Sequence, residues 1–410
     1  MTTLVIERLG HRGDGIAPGP VYVPGTLPGE EVAGEVADGT LPAPRILTAS
    51  PDRVRPPCPH AGLCGGCQLQ HASDRLVADW KAEVVARALA AHGLPAPLRG
   101  VATSLPHTRR RAAFSARRTK KGALAGFHAK RSDVIVPVPD CLVVEPALAR
   151  ALPMVEDLAR AGGSRKGELS VLVTLTAAGL DVAATGGKPA DAPLRAALAD
   201  IARAHDLARL AWGADETLVR RAPRVDFDGI AVVPPPGAFL QATVPGEVAL
   251  RQAVTEVVGH AQSVVDLFAG CGTFALPLAR RAAVHAVEGD RAMLAALDAS
   301  WRHAPGLKAV ATEVRDLFRN PLAPEDLERF GAAVIDPPRA GAEAQVAALA
   351  RSGIPRIAHV SCNPVTFARD CATLVAAGYT LDWVQVVDQF RWSSHVEVAA
   401  QLSLSRATPA

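Results

Sequence analysis

Val264-Val-Asp-Leu-Phe-Ala-Gly-Cys-Gly-Thr-Phe-Ala275 is the stretch that decides how this 410-residue chain folds. It starts as an apolar run of strand length that closes on an acid, and it ends where an apolar helical stretch opens. Between the two, Gly270 and Gly272 let the backbone approach a ligand closely, and a helix start offers unpaired amides. Working outward, the alternation repeats. Apolar strands at 264–267, 283–287, 309–314, 332–335 and 356–360 are separated by helical stretches, and two more, 381–387 and 396–402, follow with no helix between them. The pattern predicts an α/β fold: a doubly wound, mostly parallel, Rossmann-like sheet ending in a hairpin. Glu288 follows the second strand, 18 residues past Gly270, where a carboxylate can accept two ribose hydroxyls. That spacing indicates an adenosine-type cofactor without separating a nicotinamide dinucleotide from S-adenosylmethionine. Asp336-Pro-Pro-Arg ends the fourth strand, on the sheet edge where open parallel sheets bind ligands. Its prolines stiffen the loop that carries the carboxylate.

Upstream the grammar changes. Residues 1–55 are short β-like runs cut by turn signals such as Gly13-Asp-Gly and Pro28-Gly-Glu, which predicts a small β-barrel. Ser73 is placed to cap an amphipathic helix to about His92, with Leu76, Val77, Trp80, Val84, Val85 and Leu89 on one face and Gly93 as its stop. Residues 103–240 mix strands (169–176, 180–184) with helices (146–160, 191–205) and read as α+β.

Three further motifs carry chemistry. Ser361-Cys-Asn-Pro sets a thiol just ahead of a helix start, with Asn363 as N-cap and Pro364 at the first helical position. The positive end of a helix favours a thiolate, so Cys362 is a candidate nucleophile. Downstream, Glu397 lies in an apolar Val-Glu-Val-Ala strand, where a carboxylate must face a cavity or find a partner. Its pKa would rise there, which suits a base. Cys58-x5-Cys64-x2-Cys67, with Cys141 far along the chain, offers four thiolates for a metal centre. Three close cysteines plus a distant fourth resemble an iron–sulfur site more than a zinc ribbon. Residues 107–132 hold nine Lys or Arg and no glutamate or aspartate before Ser132, Arg109, Arg110 and Arg111 among them, with Phe114 and Phe127 interleaved: an electrostatic footprint for phosphates.

Composition narrows the class. A net charge of +3 is too small to argue for nucleic acid, so only its distribution does. No apolar run reaches membrane-spanning length, and the first residues lack a basic stretch followed by an apolar one. A cytoplasmic protein without membrane contact is expected, in which seven cysteines serve metal or catalysis before disulfides.

Together these motifs resemble the RNA uracil-C5-methyltransferases, in particular the members that carry an iron–sulfur cluster. The resemblance spans nearly the whole chain. It implies a TRAM-like, OB-type barrel at 1–55, a central α+β domain with the iron–sulfur site at 56–69 and 103–238, and a class I methyltransferase domain made of 70–102 and 239–410. Position by position, it implies Cys362 as nucleophile and Glu397 as general base. It places Gln241, Phe268, Gly270, Gly272, Thr273, Glu288, Asp316 and Asp336 around S-adenosylmethionine. Phe239, with Arg109, Arg110 and Arg111, falls on the substrate side, and Cys58, Cys64, Cys67 and Cys141 hold a 4Fe-4S cluster. The implied partner is RNA, ribosomal RNA of the 23S class before the uridine-54 site of transfer RNA, and the implied state is a monomer. A non-catalytic iron–sulfur RNA-binding protein is the rival that intact Cys362 and Glu397 oppose. Two stretches depart from the family pattern. Asp298-Ala-Ser-Trp-Arg-His replaces an Asn-rich helix end, and Asp388-Gln-Phe-Arg-Trp-Ser replaces D-x-F-P-x-T.

Overall fold

In the computed structural model, residues 2–214 and 216–404 are described. Met1 and 405–410, the outermost residues of the first and last predicted domains, lie outside them. An eight-stranded sheet positions the site. Its spatial order is Val310–Val314, Ala283–Glu288, Ser263–Leu267, Ala332–Ile335, Arg356–Ser361, Glu397–Leu404, Tyr379–Asp388 and Leu98–Thr103. The five strands from 263 to 361 pair in parallel, and Glu397–Leu404 runs antiparallel to both of its neighbours. The predicted terminal hairpin is therefore present. The chain first builds outward from Ser263–Leu267, then crosses to its other side at Ala332–Ile335. That reversal opens a crevice at the carboxyl ends of the two strands.

Period-two alternation divides the sheet between two cores. Val264, Ala286, Val334 and Ala358 pack with Leu250, Val254 and Val257 of helix Val244–Val258. Val265, Leu267, Ala333, Ile335 and Ile357 pack with Phe367 and Leu374 of helix Pro364–Ala376, and with Val85 and Leu89 of helix Asp74–Ala90. The latter begins as its sequence indicates, with the Ser73 side chain accepting from the Leu76 amide. Strand Leu98–Thr103 was not foreseen. Leu-Arg-Gly-Val-Ala-Thr has little alternation of its own, and it is strand only because Tyr379–Asp388 offers it an edge.

Two three-stranded sheets form the N-terminal, barrel-like part around Ile6, Val23, Val32 and Leu41. The central part is a seven-stranded sheet that includes Arg111–Arg118, Ala123–His128, Leu169–Thr176 and Gly179–Thr185. The helix expected over 146–160 is two, Pro146–Ala149 and Leu152–Gly162, the second carrying Pro153 near its start, where a missing amide does no harm. Among the described residues no helix is long and apolar enough to cross a membrane.

Candidate active site

The glycine loop turns at the end of Ser263–Leu267. Gly270 and Gly272 have φ of 56° and 94°, a region that glycine enters without cost. A Cβ on Gly272 would lie 2.9 Å from the side chains of Leu276 and Leu297, so packing also closes that position to larger residues. On Gly270 it would meet only the Met293 methyl, at 3.2 Å, which leaves one side of the loop accessible. Phe268 is held at φ 64°, costly for a bulky residue, with its ring 5.4 Å from that of Phe318. Glu288 accepts from the Gly270 amide at 3.0 Å and the Asp290 amide at 2.9 Å, which fixes its carboxylate at the loop. Thr273 is half-buried in the same turn. Asp316 is exposed at the end of the neighbouring strand and accepts from the Phe318 amide at 3.0 Å. The helix after the loop is a single turn, Ala275–Leu278, shorter than the apolar run suggests.

Acids crowd the crevice. Asp266 is fully buried, and neither of its oxygens has a hydrogen bond of full geometry among the described residues. Burial, and then the Asp336 carboxylate, hold its pKa well above the ordinary range, and only the nearby Ala275 amide lowers it in part. Asp336 keeps some surface open as a residue, but the atoms packed round its carboxyl push it up to about 7.

Cys362 and Glu397 come together through strand register. Ser361 pairs with Val398 across the antiparallel ladder, so the next step sets Cys362 beside Glu397. Asn363 caps helix Pro364–Ala376 by accepting from the Val365 amide at 3.1 Å, as its sequence indicates. The expected thiolate preference at that helix start is overturned. Burial, then the Glu397 and Asp336 carboxylates, push the Cys362 thiol up, and the backbone and Arg339 oppose them only in part. Glu397 is 5% exposed, and burial followed by Asp336 pushes it up to about 8. Behind it lie residues that sequence reasoning missed. Lys81, fully buried, donates to Asp388 at 2.5 Å and to the Phe390 carbonyl at 3.1 Å. Gln389 donates to both Gln241 and Glu397. The one clue to Lys81 was a lysine inside an otherwise apolar helix face.

The sequence pattern of the tRNA (Uracil-5-)-methyltransferase family matches residues 303–405, the span that holds Asp316, Asp336, Cys362 and Glu397. An RNA methyltransferase of Rhizobium meliloti is 46% identical, over 98% of this chain and 99% of its own length. The 23S rRNA (uracil(1939)-C(5))-methyltransferase of Halomonas elongata is 33% identical, over 96% of this chain and 88% of its own length. This chain belongs to the RNA uracil-C5-methyltransferase family. It is thus an S-adenosylmethionine-dependent RNA methyltransferase. Its fold is also that of the Pyrococcus abyssi tRNA (uracil-54, C5)-methyltransferase solved with S-adenosyl-L-homocysteine, at a TM-score of 0.76 and 23% identity over 98% and 99% of the two chains.

In this methyltransferase the four spaced cysteines line one cavity of about 920 Å³, together with Arg109, Lys130, Arg131, Phe390 and His395. All four are half-buried and unbridged. Gly65 permits the approach of their loop to the central sheet, since a Cβ there would lie 3.0 Å from the His128 carbonyl. Burial raises the Cys67 thiol to about 11, with the other three thiols adding to the effect. Among the described residues no three His, Cys, Asp or Glu side chains form a group that could hold a metal ion, so the four cysteines share a cavity without being gathered into a ligand set.

The arginine triplet is corrected. Arg110 is 6% exposed, is ion-paired with buried Glu247 and donates to the Gln241 carbonyl at 3.2 Å, so it offers nothing to a phosphate. Arg111 donates to the carbonyls of Leu240 and Ala238 at 3.2 and 3.0 Å and lies 5.5 Å from the Phe239 ring. Arg109 donates to the Arg111 carbonyl at 3.0 Å and stands 5.3 Å from the Phe390 ring. Bound to main chain and rings, these side chains brace the joint between the central sheet and the site. The exposed members of the basic segment are Arg117, Lys120, Lys121, Lys130 and Arg131. Phe239 is 59% exposed, an aromatic face open at the site.

Proposed function

We propose that this methyltransferase modifies C5 of a uridine in large-subunit ribosomal RNA through a covalent adduct on Cys362, resolved by Glu397. The register that sets Cys362 beside Glu397 at the carboxyl edge of the sheet carries the reading. Once its proton has been lost to solvent, the Cys362 thiolate bonds to C6, and the C5–C6 π electrons move out to the C4 carbonyl as an enolate. When bound, S-adenosylmethionine supplies an electrophilic methyl, and its sulfonium charge offsets Asp336 and its neighbours. The glycine loop, Glu288 and the unpartnered Asp266 oxygens fit a cationic, hydroxyl-bearing cofactor. The enolate's electron pair at C5 would take that methyl as its bond to sulfur breaks, which leaves S-adenosylhomocysteine and restores the C4 carbonyl. Glu397 then removes the C5 proton, the C–H electrons restore the C5–C6 double bond, and the C6–S bond breaks to free the thiolate. The uridine must be swung out of any stack to reach both groups, and exposed Phe239 is suited to receive a base face.

Ribosomal RNA is favoured by the 33% identity to a 23S rRNA enzyme over nearly the whole chain. Exposed Lys120, Lys121 and Lys130 supply the phosphate-facing charge in place of the engaged triplet, with Arg117 and Arg131, paired to Glu168 and Asp14, beside them. Cys58, Cys64, Cys67 and Cys141 hold a 4Fe-4S cluster in the 920 Å³ cavity. The test is covalent capture. Incubation with S-adenosylmethionine and a 5-fluorouridine-substituted ribosomal RNA fragment should give a stable protein–RNA adduct, because fluorine cannot leave as the proton does. Cys362→Ala should give none. A normal turnover rate in Cys362→Ala would sink the mechanism, and capture of a transfer RNA fragment alone would move the substrate.

A further inference from the structure

Gln389 connects the cofactor side of the site to the base. The Thr243 N–H can only donate, so the atom it meets 3.2 Å away is the Gln389 oxygen. Both amino hydrogens then remain for the acceptors at the other end: Gln241 Oε1 at 2.6 Å and Glu397 Oε2. Gln389 is 1% exposed, and its two acceptors are also buried. A second observation shows that the place is built for it. Gly246 lies in the first turn of helix Val244–Val258, and a Cβ there would fall 2.2 Å from Gln389 Cγ and 2.6 Å from Cδ. Glycine in a helix is disfavoured by about 1 kcal/mol relative to alanine. Here its missing methyl is what admits the Gln389 side chain.

We infer that Gln389 is a positioning residue whose single buried amide orients both Gln241 and Glu397, coupling the cofactor side of the site to the base. The inference rests on the reading of Glu397 as base and of Gln241 as a cofactor contact. With its oxygen engaged by Gln389, Gln241 presents its amino end to the cofactor. For Glu397 the same amide is the one neutral donor in a crowd of charges. Asp336 faces it from the loop after Ala332–Ile335, Cys362 from the end of Arg356–Ser361, Asp388 from Tyr379–Asp388, and Lys81 from helix Asp74–Ala90. Lys81 is already paired with Asp388, and Arg110 with Glu247 behind Gln241, so neither cation is free to serve Glu397. A hydrogen bond from Gln389 favours the charged carboxylate, the form a base needs.

The test uses the full chain labelled with carboxyl-13C glutamate. In Gln389→Leu the Glu397 titration should move up by about one pH unit, the loss of one donor to a charged acceptor. The KM for S-adenosylmethionine should rise about tenfold, as expected when an oriented polar contact is lost. Gly246→Ala should reproduce both changes at smaller size, because its methyl displaces the Gln389 side chain without deleting any polar group. It also stands in if Gln389→Leu fails to fold. An unmoved Glu397 titration in both variants overturns the coupling, whether or not KM changes. The base reading fails by a different result: normal product release in Glu397→Gln. The titration does not depend on that result.

Discussion

Cys362 stands among carboxylates, while Cys58, Cys64, Cys67 and Cys141 stand among one another beside Arg109, Lys130 and Arg131. Burial heads the causes that raise the thiol in both places, followed by Glu397 and Asp336 at Cys362 and, at Cys67, by the neighbouring thiols. Each region gathers negative or potentially negative groups that an incoming positive centre would stabilise, with resident cations beside the four cysteines and carboxylates beside Cys362. On the proposed reading that centre is, at Cys362, a sulfonium that arrives with each turnover and, in the cavity, the metal of a bound cluster. The contrast separates a site that must stay reactive from one that must stay filled.

Exchanging a thiol in each region should have the largest effect. Cys362→Ser should lower turnover by about a thousandfold or more, as loss of a nucleophile does, and leave iron content unchanged. Cys67→Ser should lose iron and lower the unfolding midpoint, because binding free energy at such a site is folding free energy. Elemental analysis and single-turnover rates read both, and iron retained in Cys67→Ser would break the contrast.

The joint between the regions gives a smaller effect. Arg109 borders the cavity, while Arg110 neutralises Glu247 behind Gln241. Arg110→Met leaves buried Glu247 with only the longer contact to Arg251 at 3.6 Å and should cost about 3 kcal/mol in urea unfolding. Arg109→Met, whose partners are a carbonyl and a ring, should cost about 1 kcal/mol. Equal costs would mean that the two sides of the joint are not distinct.

The smallest effect is a pH signature confined to the acid-rich side. Glu397 rises from 4.5 to about 8 on folding, so the folded state favours its protonated form. That contribution to stability is fully present below pH 4.5 and is lost as pH climbs through about 8. Glu397→Gln has no such loss. Its midpoint should match the parent's at pH 4 and exceed it by about 2–4 °C at pH 8.5 in thermal scans. A parent and variant that track each other across that range would show that Glu397 is solvated after all.

The two stretches that depart from the family pattern also differ. Asp298–His303 completes an ordinary helix, with Asp298 paired to Arg302 on its exposed face. Asp388-Gln-Phe-Arg-Trp-Ser lies at the centre of the site. Asp388 takes Lys81, Gln389 joins Gln241 to Glu397, and the Trp392 carbonyl accepts from the Gln68 and Leu69 amides beside the cysteine loop. Sequence showed both as departures and gave no means of ranking them.

By itself the sequence determined what depends on neighbours along the chain. Apolar periodicity set the parallel strands, Gly270 and Gly272 set the loop, Asn363 and Pro364 set the helix after Cys362, and spacing grouped four cysteines that one cavity does receive. Tertiary structure alone decided which charges are buried and what they meet. Lys81 and Asp388 are 307 residues apart, and Arg110 and Glu247 are 137 apart. No local pattern could tell Arg110, locked in the interior, from Arg117 on the surface, nor show that Cys362's helix start would be outweighed by burial and by two carboxylates from elsewhere in the fold. Periodicity is a property of adjacent residues. Burial and electrostatic partnership belong to the whole fold, because the sign and size of a charge's effect depend on which distant segments exclude water from it.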